Sequence, residues 1–254
     1  MPLHSMKNNE LFQIHHFKAV DSTNARLRDM LTKKELPEFT VVWCDKQTAG
    51  RGQMGNSWES EEGKNLTFSL LLRPDFLPVS QQFRITQLLT LALMDVLRPF
   101  SKNIAIKWPN DIYAGDKKLG GILIENSLKG NSIDQSIIGI GLNLNQIHFT
   151  SEAPNPISLS QLTGLQHSRR ELLGLFLKAL TIRYVDWLES GNSDKLADEY
   201  LGCLYRRDGW HRYADAQGSF EATFEGIAPD GHLLLRDSGG HTRRYAFKEV
   251  RFLP

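Results

Sequence analysis

The stretch Asp45-Lys46-Gln47-Thr48-Ala49-Gly50-Arg51-Gly52-Gln53-Met54-Gly55-Asn56-Ser57-Trp58 places glycines, a permanent cation and a side-chain amide in one short loop. Glycine relaxes the steric limits on the backbone and lets N–H groups approach a ligand closely, while the Arg51 guanidinium adds a fixed positive charge. The combination suits an anion. Val41-Val42-Trp43 before the loop and the alternating Leu66-Thr67-Phe68-Ser69-Leu70-Leu71-Leu72 after it read as strands, so a plain solvated connection between strands is the competing reading. A P-loop is excluded, because Gly55 is followed by Asn56-Ser57 rather than by the Lys and Ser/Thr that grip phosphates and magnesium.

Further segments carry residues with chemical capacity. Asp21-Ser22-Thr23-Asn24 stands before a helical stripe of Ala25, Leu27, Met30 and Leu31, where free N–H groups serve either a polar ligand or simple capping by Ser22 or Thr23. Lys107-Trp108-Pro109-Asn110-Asp111-Ile112 combines a cation, a rigid turn and a carboxylate. In Lys117-Lys118-Leu119-Gly120-Gly121-Ile122-Leu123-Ile124-Glu125, Lys118 precedes a glycine pair, so its ammonium either enters a site as a point charge or stays solvated at a turn. Gly139-Ile140-Gly141-Leu142-Asn143-Leu144 sets glycines in an otherwise apolar strand, a mark of bulges or of close ligand approach.

Together and in this order, these motifs resemble the biotin protein ligases, in the form without an N-terminal DNA-binding domain. The resemblance is strong from residue 17 to 145 and weaker toward the C-terminus. It implies an ATP-dependent reaction. A carboxylate is a poor electrophile; attack of the biotin carboxylate on the α-phosphate of ATP gives biotinyl-5'-AMP and pyrophosphate, and a lysine of a biotin carboxyl carrier protein then takes the biotinyl group. Placed cations and N–H donors must offset the developing charge. The resemblance assigns catalysis to Lys118 and Arg51, and biotin contacts to Ser22, Thr23, Asn24, Gln47, Arg51, Gly52, Gln53 and Lys118. It assigns nucleotide contacts to Trp58, Lys107, Asn110 and Asn143. Taken alone, Trp58 also fits a core position, and Asp111 is either a magnesium ligand beside the phosphates or the cap of a turn. Some family members carry a second arginine that retains the adenylate where this chain has Gln53, which offers hydrogen bonds without charge. Lipoate ligases and octanoyltransferases, similar in catalytic fold, are the alternative; the complete glycine loop with Trp58 and the Lys107 to Asp111 motif favour biotin.

Composition is ordinary for a soluble globular protein. Across 254 residues, 41% are hydrophobic and 23% charged, and a formal net charge of +1 gives no global attraction to DNA or membranes, so an anion site must be local. Cys44 and Cys203 form no metal-ligand or redox spacing, which suits a reducing cytoplasm. Met1 to Asn9 lacks the apolar core of a signal peptide, and Thr90 and Asp95 interrupt the apolar run around Leu88 to Leu97, so neither secretion nor a membrane span is expected. The few residues before the catalytic resemblance leave no room for a winged helix-turn-helix, so DNA is not an expected partner. Adjacent His15 and His16 read as structural. A monomer and a homodimer are both compatible with the sequence.

The elements that must position these residues read as an α+β protein: a mixed β-sheet catalytic domain packed with helices over residues 1–205, then a small SH3-like β-barrel domain over 206–254. The patterns predict strands around Phe12 to Phe17, Ile104 to Lys107, Gly121 to Ser127 and Ser136 to Leu144, with a turn over Asp111 to Lys117. Helices are predicted from Ser80 to Phe100, closed at Pro99, from Ser168 to Gly191 with a Ser168/Glu171 capping box, and from Lys195 to Tyr200. Phe220 to Phe224, Leu233 to Leu235 and Arg244 to Phe247 read as strands of the terminal unit, with a turn over Asp237 to Gly240.

Overall fold

Runs of consecutive strands, joined and flanked by helices, produce a seven-stranded mixed sheet with helices on both faces. The computed structural model describes residues 11–150, 155–191 and 193–254; the polar Met1 to Asn9 lies outside them. The strands are β1 (Gln13–Val20), β2 (Thr40–Gln47), β3 (Leu66–Leu72), β4 (Ile104–Lys107), β5 (Asp111–Ala114), β6 (Lys117–Lys129) and β7 (Ser132–Leu142), in the order β1-β2-β3-β7-β6-β5-β4. β1 and β2 are parallel, joined by a crossover through helix α1 (Thr23–Lys33); every other neighbouring pair is antiparallel.

Every residue of β3 is buried, one face wholly apolar with Leu66, Phe68, Leu70 and Leu72, the other setting Leu71 beside the hydroxyls of Thr67 and Ser69. Leu71 on one face joins Leu27 and Met30 of α1, Val42 and Ile137. Phe68 and Leu70 on the other face join the large core under α2 (Phe83–Leu97) and α4 (Arg169–Ser190), with Phe68 edge-on to Phe176 at 5.3 Å. The long helix expected over Ser80 to Phe100 is divided into a 3-10 turn at Val79–Gln81, α2, and a second 3-10 turn at Arg98–Phe100 that contains Pro99. The polar interruption Asp95 has a structural use: Arg183 of α4 bonds both its oxygens and also reaches Glu199 of α5 (Ser193–Gly202) at 2.8 Å, tying three helices together. Ser168 accepts from Glu171 N at 3.3 Å, one half of the expected box; both halves form instead at Ser158 and Gln161, at the start of α3 (Leu159–Thr163).

The expected turn over Asp111 to Lys117 is a hairpin. Gly115 at φ 58° and Asp116 make the turn, and Asp111 to Ala114 extend as β5. The aspartates at both ends had the composition of a turn, yet Ile112 and Tyr113 are buried as strand residues.

The terminal unit comprises β8 (His211–Asp215), β9 (Gly218–Ile227), β10 (Leu233–Asp237), β11 (Thr242–Tyr245) and β12 (Arg251–Phe252), antiparallel in the order β11-β10-β9-β8-β12. β11 and β12 stand at opposite edges, so this is an open five-stranded sheet and the expected barrel is not closed. The strand expected to reach Phe247 ends at Tyr245, and Ala246 to Glu249 forms a turn in which Ala246 N donates to the Glu249 carboxylate at 2.7 Å.

The Lys107 to Asp111 segment is the joint between the two sheets. Ile106 N donates to Cys203 O and Tyr205 N to Ile106 O, each at 2.8 Å, so the chain entering the terminal sheet extends the edge of the first. Trp108 Nε1 donates to Gly231 O at 2.9 Å, and Tyr200 Oη donates to Pro109 O at 2.7 Å. Trp108→Phe keeps an aromatic ring but orphans the Gly231 carbonyl, a loss of about 1–3 kcal/mol. The expected result is a lower urea midpoint and faster protease cleavage within residues 206–254; an unchanged midpoint would show that the joint does not depend on this bond.

Candidate active site

The N-terminus of α1, the glycine loop after β2, the β5–β6 hairpin and β7 surround a cleft of about 380 Å³. Its walls include Ser22, Thr23, Asn24, Gln47, Arg51, Gly52, Gln53, Trp58, Asn110, Asp111, Lys118 and Asn143, so residues far apart in sequence converge as the motifs require.

The floor is a polar network on α1. Ser22 caps the helix, accepting from Ala25 N at 3.1 Å. Gln47 Oε1 accepts from Thr23 N at 2.9 Å, which fixes the amide of β2 against the helix start. Ser69 Oγ lies 2.7 Å from Thr23 Oγ1 and 2.5 Å from Asn24 Oδ1, and Asn24 Nδ2 donates to Glu125 at 2.7 Å. Glu125 in turn pairs with Arg28 at 2.8 Å. Asn24 is therefore a buried tie between α1, β3 and β6, with its amide oriented by the Glu125 carboxylate. Sequence reasoning passed over Ser69, Glu125 and Arg28. The available signals were a hydroxyl in a wholly buried strand and an acid closing the Lys117 to Glu125 motif.

Gly139 and Gly141 of β7 keep regular register with both neighbours, so they mark no bulge. They make room for side chains. A Cβ on Gly139 would lie 2.5 Å from Asn24 Oδ1, and one on Gly141 would lie 2.3 Å from the Trp58 ring. The Trp58 indole thus rests directly on the β7 backbone, with Lys118 Nζ 5.8 Å from its ring centroid. Trp58 Nε1 and Gln53 Oε1 are buried in this wall without a protein partner. The glycine loop folds back on itself, with Gly52 N donating to Asn56 O at 2.7 Å and Trp58 N to Gly50 O at 2.9 Å, and holds Arg51 exposed at the rim.

Lys118 and Asp111 form an ion pair at 2.7 Å on the pocket wall. Asn110 lines the pocket, but its amide nitrogen donates to Ile122 O. Asn143 is likewise engaged: its amide donates to Ile157 O at 3.2 Å and lies 3.4 Å from Lys118 O, pinning the chain after residue 155 to the end of β7. Lys107, an expected nucleotide contact, is not on the pocket wall. Its ammonium donates to Tyr113 Oη at 3.0 Å and sits over the rings of Tyr113 and Phe252 at 4.6 and 5.1 Å, drawn to aromatic faces where burial pushes its pKa down. Phe149 and Phe247 do line the pocket. Neither carries a local signal, since Phe247 reaches the site only through the terminal sheet. Nearby, Glu59 accepts from Gln146 Nε2 at 2.8 Å and from Thr150 N at 3.0 Å, fastening the segment that carries Phe149 to the glycine-loop exit.

Residues 16–143 match the model of the Biotin/lipoate A/B protein ligase family. Among curated proteins, the chain is 34% identical to the bifunctional ligase/repressor BirA of Bacillus subtilis, over 89% of this chain and 70% of that protein. It is 29% identical to the biotin--[acetyl-CoA-carboxylase] ligase of Paracoccus denitrificans, over 87% of this chain and 92% of that one. Among solved structures, the biotin protein ligase of Aquifex aeolicus in complex with biotin and ATP superposes with a TM-score of 0.77 at 26% identity, covering 95% of this chain and 99% of that one. With the family model spanning half of the chain and relatives above 30% identity extending the match into the terminal sheet, this protein belongs to the biotin/lipoate A/B protein ligase family.

Proposed function

We propose that the chain is a biotin protein ligase, which activates biotin with ATP and transfers it to a lysine of a biotin carboxyl carrier protein. The observation that carries this reading is the convergence of Lys118, the Arg51 loop and the polar floor of α1 on one cleft next to Trp58. The relatives named above as ligases support biotin as substrate, and the ATP complex of the Aquifex aeolicus protein supports the nucleotide.

In this reading the amide and hydroxyl groups of Ser22, Thr23 and Gln47 meet the ureido ring, and Asn24 holds that floor in place. The apolar walls take the thiophane ring and aliphatic tail. Lys118 draws the biotin carboxylate toward the α-phosphate, Arg51 offsets phosphate charge as the loop covers the ligand, and the indole of Trp58 packs on the adenine. A carboxylate oxygen then forms a bond to the α-phosphorus as pyrophosphate leaves. The carrier amine next attacks the acyl carbon, the C–N bond forms, the bond to AMP breaks and a proton departs. With Gln53 in place of a second arginine, the walls around Trp58, Phe149 and Phe247 are the means of holding the adenylate.

Magnesium normally keeps one or two protein carboxylates together with phosphate oxygens and water. Asp111 supplies one such carboxylate on the pocket wall, and the described residues contain no cluster of three or more potential protein ligands. That donor set fits an ion brought in with the nucleotide, held by Asp111 and the phosphates, which would supply charge neutralisation. No helix among the described residues is long and apolar enough to cross a membrane, and we place the reaction in the cytoplasm, where ATP and carrier domains are available. Residues 1–205 act as the biotin- and ATP-binding unit, and 206–254 as a smaller unit that supplies Phe247.

Incubation with ATP, magnesium, a carrier domain and either biotin or lipoate, followed by mass spectrometry of the carrier, tests the function. A biotin-sized increment is expected, and a lipoyl increment alone would overturn the assignment. The intermediate is a noncovalently held adenylate rather than an enzyme thioester: both thiols are buried off the pocket, and burial pushes their pKa values up. The Cys44→Ser, Cys203→Ser double variant should therefore label the carrier at the ordinary rate; loss of labelling with the fold intact counts against this mechanism. Lys118→Ala loses a partly exposed ion pair worth about 0–1 kcal/mol, so its melting temperature should change little. Its biotin-dependent pyrophosphate exchange should fall by about a hundredfold, as for loss of one transition-state donor, with pre-made biotinyl-adenylate restoring much of the carrier labelling. Near-normal exchange would limit Lys118 to its ion pair with Asp111 and leave Arg51 as the principal cation.

A further inference from the structure

The ladder between β5 and β6 slips by one residue next to the pocket. Asp111 pairs with Gly121 and Ile112 with Gly120, but Tyr113 then pairs with Lys118, so Leu119 is the extra residue. Side chains alternate along a strand, and in an unbroken ladder Lys118, three positions from Gly121, would leave the sheet on the face opposite Asp111. The bulge reverses this. Leu119 goes fully into the core, and Lys118 emerges on the face of Asp111, where Nζ and Oδ1 meet at 2.7 Å with side chains 23% and 26% exposed. Gly121 completes the arrangement: a Cβ there would lie 3.0 Å from Asp111 Oδ1 and 3.5 Å from Lys118 Nζ. Lys107 feels both charges, Asp111 favouring its protonated form and Lys118 opposing it, beneath the larger influence of burial.

The ammonium on the pocket wall is thus already neutralised by a carboxylate built into the same hairpin. We propose that Asp111 is the resident counter-ion of Lys118, with which the carboxylate of the substrate must compete or share. This rests on the reading of the cleft as a biotin site. Two carboxylates converging on one ammonium repel at close range, and partial burial leaves that repulsion incompletely screened. The free protein therefore gives up part of its attraction for the acid. In exchange it gains selectivity: a small anion finds Lys118 occupied, and only a ligand that also fills the α1 floor and the apolar walls can share the ammonium. Asp111 acts here as a positioning residue, setting how much of the charge of Lys118 a ligand meets.

Isothermal titration calorimetry of biotin, and of biotinol, its uncharged alcohol analogue, separates this role from a structural one. In metal-free, nucleotide-free buffer, Asp111→Asn is expected to bind biotin about five- to tenfold tighter than the unaltered protein, while the affinity for biotinol stays within about twofold. Asp111→Ser, with a melting curve for both variants, guards against a folding defect in one of them. Unchanged or weaker binding of biotin by folded variants would overturn the proposal, and so would equal tightening of biotin and biotinol, which would indicate a change of shape rather than charge. If the unaltered protein binds neither ligand, the biotin reading falls and the counter-ion role toward biotin falls with it; if it binds both without the contrast in the variants, only the counter-ion role falls.

Discussion

The lack of side chains at Gly139 and Gly141 is the constraint on which the site depends. Two residues apart on a regular strand, they share one face of β7 and turn it into bare backbone in the middle of the sheet. Asn24 enters the first space and locks α1 over the sheet through Ser69 and Glu125; the Trp58 ring enters the second and anchors the exit of the glycine loop. With a methyl at either position, the helix start or the loop would have to lift away, and the pocket would lose its floor or one wall. The chemistry-bearing groups are thus positioned by a space in the sheet as much as by bonds.

The second support is the segment that joins the sheets. Lys107 to Asp111 carries charge, yet most of its side chains serve assembly: Lys107 sits over the rings of Tyr113 and Phe252, Trp108 bonds to Gly231, and Asn110 bonds to Ile122. Asp111 alone in this segment meets a group with a proposed role in the reaction, Lys118. A motif that looks like a set of ligands is therefore largely a joint, and its effect on the pocket passes through the placement of the β5–β6 hairpin and of Phe247.

Much of this was legible in sequence because the relevant signals are local or ordered along the chain. A cap at Ser22, an apolar stripe on α1, glycines after an apolar strand and lysine before a glycine pair each point to a short-range geometry, and the order of the motifs suggested that they converge. The features that escaped depend on contacts across the fold. The face on which Lys118 emerges is set by a bulge at Leu119, and a leucine next to a lysine does not announce one. Glycines that accommodate Asn24 and Trp58 look the same in sequence as glycines that make bulges. The pull of Tyr113 and Phe252 on Lys107 needs a strand from the far end of the chain. The terminal strands were read from alternation, but closure into a barrel depends on an edge pairing between β11 and β12 that alternation cannot report.

Phe247 in the pocket wall also has a consequence for how the protein is made. The polar floor, the glycine loop and Lys118 have all been synthesised once Asn143 has, while Phe247 is added 104 residues later. At translation rates of about 5–20 residues per second, synthesis of that interval takes roughly 5–20 s, during which the cleft lacks its Phe247 wall. For the first part of that interval, until Tyr205 is added, the edge strand β4 also lacks the main-chain partner that Cys203 and Tyr205 provide. Vectorial synthesis thus postpones a complete pocket until the terminal sheet has docked.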